Sequence, residues 1–185
     1  PELYELRPGF DKNADTIADL TLTRYLFRAF SEACAVLDRE TTEADILRDI
    51  REILSRFPPY PTAQSSRGDV FVSVRGEDPE IVYNVPVSLM TVFPGDHHGL
   101  HSPVEDFRLA VNTYWNQQNE GGNELVFVNV QAARLGILDL EKFKRQVEYC
   151  LLPNGSCADM VLQTGGRYVH DTPFDFMAPM GIWFE

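Results

Sequence analysis

Apolar residues recur every three or four positions in five separate segments of this chain, and that period is typical of helices that bury one face. The five segments cover residues 15–37, 42–57, 102–118, 123–136 and 139–155. The fourth segment, "NELVFVNVQAARLG", is apolar on nearly all sides, so we expect it to be buried on both faces. Amphipathic helices that pair with a more buried one over short connections are typical of stacked helical hairpins, and the sequence therefore predicts an all-α fold.

Local signals predict where these helices begin. Thr42 and Asp45 have the spacing of a capping box at the start of the second helix. Ser102 is expected to cap the third helix, with Glu105 closing its capping box. Asp139 is expected to cap the fifth helix.

One internal stretch and the tail lack the helical period. From Phe71 and Val72 onward the apolar residues alternate loosely, and Gly76 to Pro79 predicts a turn. We therefore expect a small irregular or β-hairpin insertion near residues 68–85. The sequence from 163 to 177 is expected to be a loop, followed by the start of a helix in "MGIWFE".

The charge and the cysteines exclude several classes of function. The net charge of −12 argues against nucleic acid, because phosphates require a basic surface. No apolar run reaches the length of about 18 residues that spans a bilayer. Cys34, Cys150 and Cys157 form no CxxC pair, which argues against structural zinc. A disulfide could join Cys150 and Cys157 across a turn, but an odd number of cysteines predicts no disulfide framework.

Three of the four histidines lie in the segment "VFPGDHHGLH", and three interpretations of them stay open. His97 and His101 are four residues apart, as in a helical zinc pair, and Asp96 could add a ligand. The proline and glycines around them argue against a helix, however, and HExxH is not present. Alternatively, His97, His98 and His101 belong to a polar loop before the next helix, or they form the wall of a polar pocket.

Two further polar segments are candidates for ligand contact. The segment "NQQNEGGNE", 116–124, carries amides that both donate and accept hydrogen bonds, which suits hydroxyl recognition and also suits a turn. The segment "YVHDTPFDF", 168–176, brings His170, Asp171 and Asp175 together with aromatic residues. A carboxyl group beside phenylalanine can have the raised pKa that acid–base catalysis uses, although exposed loop acids are the alternative.

Six stretches carry a family resemblance. They are "PELYEL", "DLTLTRYLFRAFSEACAVL", "FPPY", "VFPGDHHG", "PFDF" and "MGIWFE", in this order along the chain. Together they resemble glycoside hydrolase family 95, which contains alpha-L-fucosidases and related enzymes. The resemblance implies that the helical hairpins form part of an (α/α)6 toroid. It also implies that residues 1–185 are a single domain, most of the latter part of a larger catalytic domain.

The resemblance implies an inverting glycosidase, fucosidase-like, that removes a terminal sugar from glycans without a cofactor or a metal ion. Glu2 resembles the general acid, and Asp175 is the nearest match to an aspartate that supports the base. We expect the three loop histidines to bind sugar hydroxyls. Trp115, Asn123 and His170 are expected to bind the substrate with them.

The sequence departs from the family at two points. The histidines follow the Pro-Gly pair where the family places them before it, and "DFMAPMG" replaces an Asp-Gly-Asn-Phe-Gly run. A non-catalytic carbohydrate-binding protein of the same helical fold is the alternative, and a helical scaffold for protein partners is a third possibility. The expected partners are a glycan, the rest of the toroid and possible accessory β domains, with neither nucleic acid nor membrane. We expect a periplasmic or secreted protein.

Overall fold

The part of the chain that the computed structural model describes is mainly helical. It comprises residues 15–80, 82–83, 86–119, 127–150, 153, 158–161 and 166–169. Its α-helices are α1 (Ile17–Val36), α2 (Ala44–Ser55), α3 (Val104–Asn116), α4 (Asn129–Arg134) and α5 (Leu140–Cys150), and a 3-10 helix spans Val87–Leu89. Its strands are β1 (Thr62–Ser65), β2 (Gly68–Phe71), β3 (Val82–Tyr83), β4 (Gln118–Asn119), β5 (Ala158–Val161) and β6 (Gly166–Val169). A helix therefore lies within each of the five predicted segments, which confirms a mainly α-helical fold.

A β-hairpin is present, but it begins earlier than the sequence predicted. Strands β1 and β2 pair antiparallel, with Thr62 opposite Phe71 and Ser65 opposite Gly68. Gly68 has a φ of +100°, a conformation that residues with a Cβ rarely adopt, so glycine is suited to the end of this turn. The predicted start near residue 68 was wrong, because the alternation was assigned from Phe71 onward, where β2 already ends. The following strand β3 pairs in parallel with β4 and is not part of the hairpin.

The tail holds a strand pair, and its second strand lies where the sequence predicted a loop. Strands β5 and β6 pair antiparallel, with Ala158 opposite Val169 and Val161 opposite Gly166. The loop prediction is therefore wrong for residues 166–169. The helix expected in "MGIWFE" and the possible Cys150–Cys157 disulfide lie outside what the structure describes.

The first helix is anchored at its start to the segment that follows the hairpin. Thr16 caps α1, because its Oγ1 accepts a hydrogen bond from the backbone N–H of Asp19 at 3.2 Å. The backbone N–H of Ile17 donates to the carbonyl oxygen of Ser73 at 2.8 Å. Beside it, Nη2 of Arg75 donates to Oδ2 of the buried Asp15 at 2.8 Å.

The predicted cap of α3 is wrong. The helix begins at Val104, and Pro103 precedes it without a side-chain cap bond. The hydroxyl of Ser102 instead accepts a hydrogen bond from the backbone N–H of Gly99 at 3.0 Å. Because this hydroxyl closes the turn of the preceding loop, it does not cap the helix.

The other two predicted caps have opposite outcomes. The capping box at α2 is wrong, because the helix begins at Ala44 and Glu43 before it makes no side-chain cap bond. The cap of α5 is confirmed: Oδ1 of Asp139 accepts from the backbone N–H groups of Glu141 and Lys142 at 3.0 and 2.9 Å. These two bonds also hold the pKa of the Asp139 carboxyl below its usual value.

The core lies between α1, the hairpin, the 3-10 helix, α3 and the end of α4. Its buried cluster consists of Ile17, Phe71, Leu89, Val92, Ala110 and Leu135. Strand β2 is joined to α3 by a buried hydrogen bond of 2.8 Å from the backbone N–H of Phe71 to Oγ1 of Thr113. This bond fixes the end of the hairpin against α3.

The fourth helix is buried, as the sequence predicted. Asn129, Val130, Gln131 and Ala132 are all buried. Nε2 of Gln131 lies 3.3–3.4 Å from the carbonyl oxygens of Pro86, Leu89 and Phe93. The buried amide therefore holds the segment around the 3-10 helix, which leads into the histidine loop.

Helix α1 keeps a strongly exposed apolar face on its outer side. Leu22, Leu26 and Val36 are 47%, 62% and 81% exposed. Leu37, the last residue of the first predicted helical segment, is 66% exposed. Within the described ranges, none of the helices has both the length and the apolar character needed to cross a membrane.

Candidate functional site

The histidine segment follows the 3-10 helix as a chain of turns that backbone hydrogen bonds hold in place. The carbonyl oxygen of Thr91 accepts from the N–H groups of both His97 and His98, at 2.8 and 3.0 Å. The N–H of Gly95 donates to the carbonyl oxygen of Met90 at 2.8 Å. The two histidines are therefore fixed through their backbone on one small folded loop.

Helix α1 supports this loop directly at Gly95. A Cβ on Gly95 would lie 2.0 Å from Cγ2 of Thr21 and 2.7 Å from the carbonyl oxygen of Met90. The second of these atoms belongs to the backbone and cannot rotate away. Only glycine therefore permits this contact between the loop and the helix.

His97 and His98 lie among aromatic side chains from the hairpin region. The Tyr60 ring centroid is 5.9 Å from that of His97 and 5.7 Å from that of His98. The Phe71 ring is 5.0 Å from His98 and 6.0 Å from Tyr60. The Tyr60 hydroxyl is hydrogen-bonded to Nδ1 of His97. We call these four residues, Tyr60, Phe71, His97 and His98, the histidine cluster.

Burial keeps both histidines of the cluster neutral at physiological pH. Burial, together with the positive charges of Arg24 and Arg28, lowers the pKa of His97 to about 4. Burial also lowers the pKa of His98, although Asp106 opposes this effect. The pKa of the Tyr60 hydroxyl is raised, chiefly by burial. Each neutral imidazole therefore offers one donor and one acceptor nitrogen.

Several polar atoms in and around the cluster have unused hydrogen-bonding capacity. Nε2 of His97, Nδ1 of His98, Oγ1 of Thr91 and Nε of Arg24 are buried without a hydrogen-bond partner among the described residues. A buried polar atom without a partner costs about 1–3 kcal/mol of stability. Unpaired buried atoms gathered in one place need an explanation, and a role in ligand binding is one.

Three arginines surround the loop and differ in their partners. Nη2 of Arg28 lies 3.5 Å from Oδ2 of Asp96, and Nη1 of Arg134 lies 3.8 Å from its other carboxylate oxygen. Arg24 instead stacks over the ring of Tyr60, with its guanidinium carbon 5.0 Å from the ring centre. Asp96 is thus shared by two arginines on the outer side of the loop.

The remaining predicted site residues do not join the cluster in the described part of the chain. His101 is exposed, and its Nδ1 would lie 3.4 Å from a Cβ on Gly99. Trp115 is 53% exposed on α3 and packs edge-on against Tyr114, with ring centres 5.0 Å apart. The expected positions of Glu2, Asn123, His170 and Asp175 lie outside the described residues.

Sequence reasoning missed three residues that shape the site, Arg24, Tyr60 and Phe71. Tyr60 belongs to "FPPY", a stretch quoted for the family resemblance, and Arg24 lies within the first segment, which was recognised by its apolar period. A tyrosine just after two prolines is one available signal, because the prolines end the helix and present the ring on a loop.

A metal centre is not seen in this region. Among the residues that the structure describes, no group of three histidine, cysteine, aspartate or glutamate side chains is arranged to hold a metal ion. Nδ1 of His97, one of the possible ligand atoms, is occupied by the Tyr60 hydroxyl.

A groove of about 520 Å³ lies between the hairpin and α3, and none of the predicted site residues lines it. Its polar lining includes Asp69, Glu105, Asp106, Arg108 and Asn112. The carboxylates in it are exposed, and two of them are already paired, Glu105 with Arg108 and Asp69 with Gln64. We therefore take the histidine cluster, with its unpaired buried atoms, as the candidate site.

Comparison with known proteins finds no matching family model, no similar curated protein and no similar solved structure.

Proposed function

We propose that this chain belongs to a glycoside hydrolase and that the histidine cluster binds hydroxyl groups of its sugar substrate. The observation that carries the proposal is the pair of neutral, half-buried histidines beside Tyr60, each with an unpaired ring nitrogen. The resemblance to glycoside hydrolase family 95 supports the same reaction class. It also supports an extracytoplasmic location and a fold in which these helices form part of an (α/α)6 toroid.

Neutral imidazole suits sugar recognition because a hydroxyl group both donates and accepts hydrogen bonds. A charged imidazolium would offer donors only. In the neutral rings, the unpaired Nε2 of His97 and Nδ1 of His98 can each donate or accept, according to the tautomer. Tyr60 is only half buried, so its ring can also contact the apolar face of a sugar. Phe71 is 4% exposed and serves to position His98 rather than to touch a ligand.

Ligand contact at the unpaired nitrogens requires a small opening of the loop. Nε2 of His97 and Nδ1 of His98 are covered by neighbouring atoms in the structure. Pairing either atom with a hydroxyl group would remove a penalty of about 1–3 kcal/mol. That gain favours the opened, ligand-bound arrangement.

The catalytic part of the proposal rests on Glu2 and Asp175. Glu2 would protonate the leaving oxygen, and Asp175 would support the base that activates water on the opposite face of the sugar. An inverting reaction requires a separation of about 6.5–9.5 Å between the acid and base carboxyl groups. Catalysis therefore needs the two ends of this chain near each other.

The test is hydrolysis of nitrophenyl glycosides by the protein in its complete natural form. Glu2→Gln removes the acidic proton and is expected to lower kcat by about a hundredfold or more while sugar binding is retained. Glu5→Gln, in the same segment, is the matched control and is expected to keep wild-type kcat.

Three outcomes separate the possible functions. Hydrolysis that depends on Glu2 supports the glycosidase. Sugar binding without hydrolysis of any glycoside by the wild-type protein favours the non-catalytic carbohydrate-binding protein. A wild-type protein that neither binds nor hydrolyses a sugar contradicts both and leaves the helical scaffold.

A further inference from the structure

Arg24 extends from α1 toward the histidine cluster, and among the described residues its positive charge has no ionic partner. Its guanidinium carbon lies 5.0 Å from the ring centres of both Phe57 and Tyr60. Nη2 makes only a long hydrogen bond of 3.5 Å to the carbonyl oxygen of Pro58. Within the part of the chain that the structure describes, Arg24 pairs with no carboxylate, and its Nε is buried without a hydrogen-bond partner.

Other arginines of similar burial are paired. Arg56 is bonded to Glu52, and Arg134 faces Asp96 at 3.8 Å. Removing a positive charge from water without a counter-charge is unfavourable, and aromatic rings offset only part of that penalty. The chain has 28 acidic residues, so the unpaired Arg24 does not follow from a shortage of carboxylates.

The charge of Arg24 acts on the same two histidines that carry the unpaired nitrogens. Its guanidinium carbon lies 5.0 Å from the centre of the Tyr60 ring, and that centre is 5.9 Å from the ring of His97 and 5.7 Å from the ring of His98. Consistent with this position, its charge lowers the pKa of both histidines. The nearby Asp96 faces Arg28 and Arg134 instead. A ligand that binds His97 and His98 would therefore meet a half-buried guanidinium that its neighbours leave without an anion.

We propose that Arg24 binds an anionic group of the ligand, so that the histidine cluster takes a glycan whose sugar carries a carboxylate or a sulfate ester. This inference rests on the proposed carbohydrate site. The planar fork of a guanidinium matches two oxygens of either anion, while the stacked rings of Phe57 and Tyr60 hold the fork in one orientation. The histidines then bind the neutral hydroxyl groups of the same sugar.

The first test uses the wild-type protein and two matched probes, trigalacturonate and galactotriose, which differ in their carboxylate groups. Titration calorimetry is expected to give trigalacturonate a Kd at least about tenfold lower. A sulfated galactose trisaccharide, measured alongside, distinguishes a sulfate site from a carboxylate site. Equal Kd values for all three sugars would overturn the anionic site and leave the carbohydrate site standing. No binding of any of them would also overturn this inference, whereas the proposed function is decided separately by the hydrolysis of nitrophenyl glycosides.

The second test assigns the preference to Arg24. Arg24→Gln is expected to bring the ratio of the Kd values for galactotriose and trigalacturonate close to one. Arg24→Lys is expected to retain part of the preference for trigalacturonate, because lysine keeps the charge but not the planar fork. Arg48→Gln is the control: Arg48 is exposed on α2 and pairs with Asp45 and Asp49, so the wild-type ratio is expected. Thermal unfolding of each variant verifies that it is folded. A folded Arg24→Gln protein with the wild-type preference for trigalacturonate contradicts the assignment.

Discussion

His97 binds its proton at different pH values in the folded and unfolded chain. In the folded protein, burial with Arg24 and Arg28 nearby lowers the pKa of its ring from 6.5 to about 4. Between these two values the unfolded chain holds a proton that the folded protein lacks, so stability falls as the pH falls through this window. Below pH 4 both states are protonated, and this contribution to the pH dependence ends.

Substitution of His97 is expected to remove this part of the pH dependence. One pKa unit corresponds to about 1.4 kcal/mol, and the ring is only half buried, so we expect a loss of about 1 kcal/mol on going from pH 7 to 4. His97→Asn keeps a polar atom near Nδ1 for Tyr60 but does not titrate. Urea unfolding at both pH values measures the free energy of unfolding of the wild type and of His97→Asn. His101→Asn, at an exposed position, is the control. A variant with the full wild-type pH dependence would rule out His97 as its source.

The contact between the histidine loop and α1 depends on one glycine. Gly95 packs against Thr21 and the backbone of Met90 so closely that a Cβ has no room. Because His97 and His98 follow two and three residues later, any shift at this contact moves the site. The loop and the helix therefore act as one unit in placing the cluster.

Gly95→Ala is expected to destabilise the protein by about 1–3 kcal/mol, since the backbone must move to admit the methyl group. Sugar binding at the histidine cluster is expected to weaken with it. Gly99→Ala is the matched control in the same loop, because the nearest atoms to its added Cβ lie at 3.4 Å. Urea unfolding of the two variants makes the comparison. Equal stability of both would contradict the close packing at Gly95.

The outer face of α1 relates the described structure to the proposed toroid. Leu26 and Val36 are 62% and 81% exposed there, while Leu20 and Cys34 on the other side are buried. An apolar surface on both sides of a helix suits a position between two neighbours. In the proposed toroid, a further helix covers Leu26 and Val36.

Leu26→Lys distinguishes the toroid from a helix whose outer face stays in water. In the complete natural protein we expect the substitution to lower the free energy of unfolding by about 2 kcal/mol or more, because it would place a charge in a packed interface. In the 185-residue chain alone the expected effect is below about 0.5 kcal/mol, as is usual for exposed positions. Leu22→Ala, measured in both proteins, is a less disruptive substitution on the same face. An equally small effect of Leu26→Lys in both proteins would contradict a covering helix.

The helices were predictable because their signal is local. A recurrence at three and four residues describes one face of one helix, and it placed a helix within each of the five segments. The helix caps were predicted less well. Asp139 caps α5 as predicted, but the hydroxyl of Ser102 accepts a hydrogen bond from Gly99 in the preceding loop and does not cap α3. A helical pattern in the sequence does not indicate such a partner. The predicted start of the hairpin was too late for a similar reason, because the turn at Gly68 depends on pairing between strands.

The histidine loop was recognisable in the sequence because three histidines fall within five positions. Its chemistry was not, because that depends on contacts between residues far apart in the chain. Tyr60 and His97 are 37 residues apart, and Arg24 comes from a third segment. Local periodicity decided which residues are helical, since backbone hydrogen bonds join near neighbours. Folding alone brought Arg24, Tyr60 and His97 together, since burial and charge at a site are properties of the packed chain.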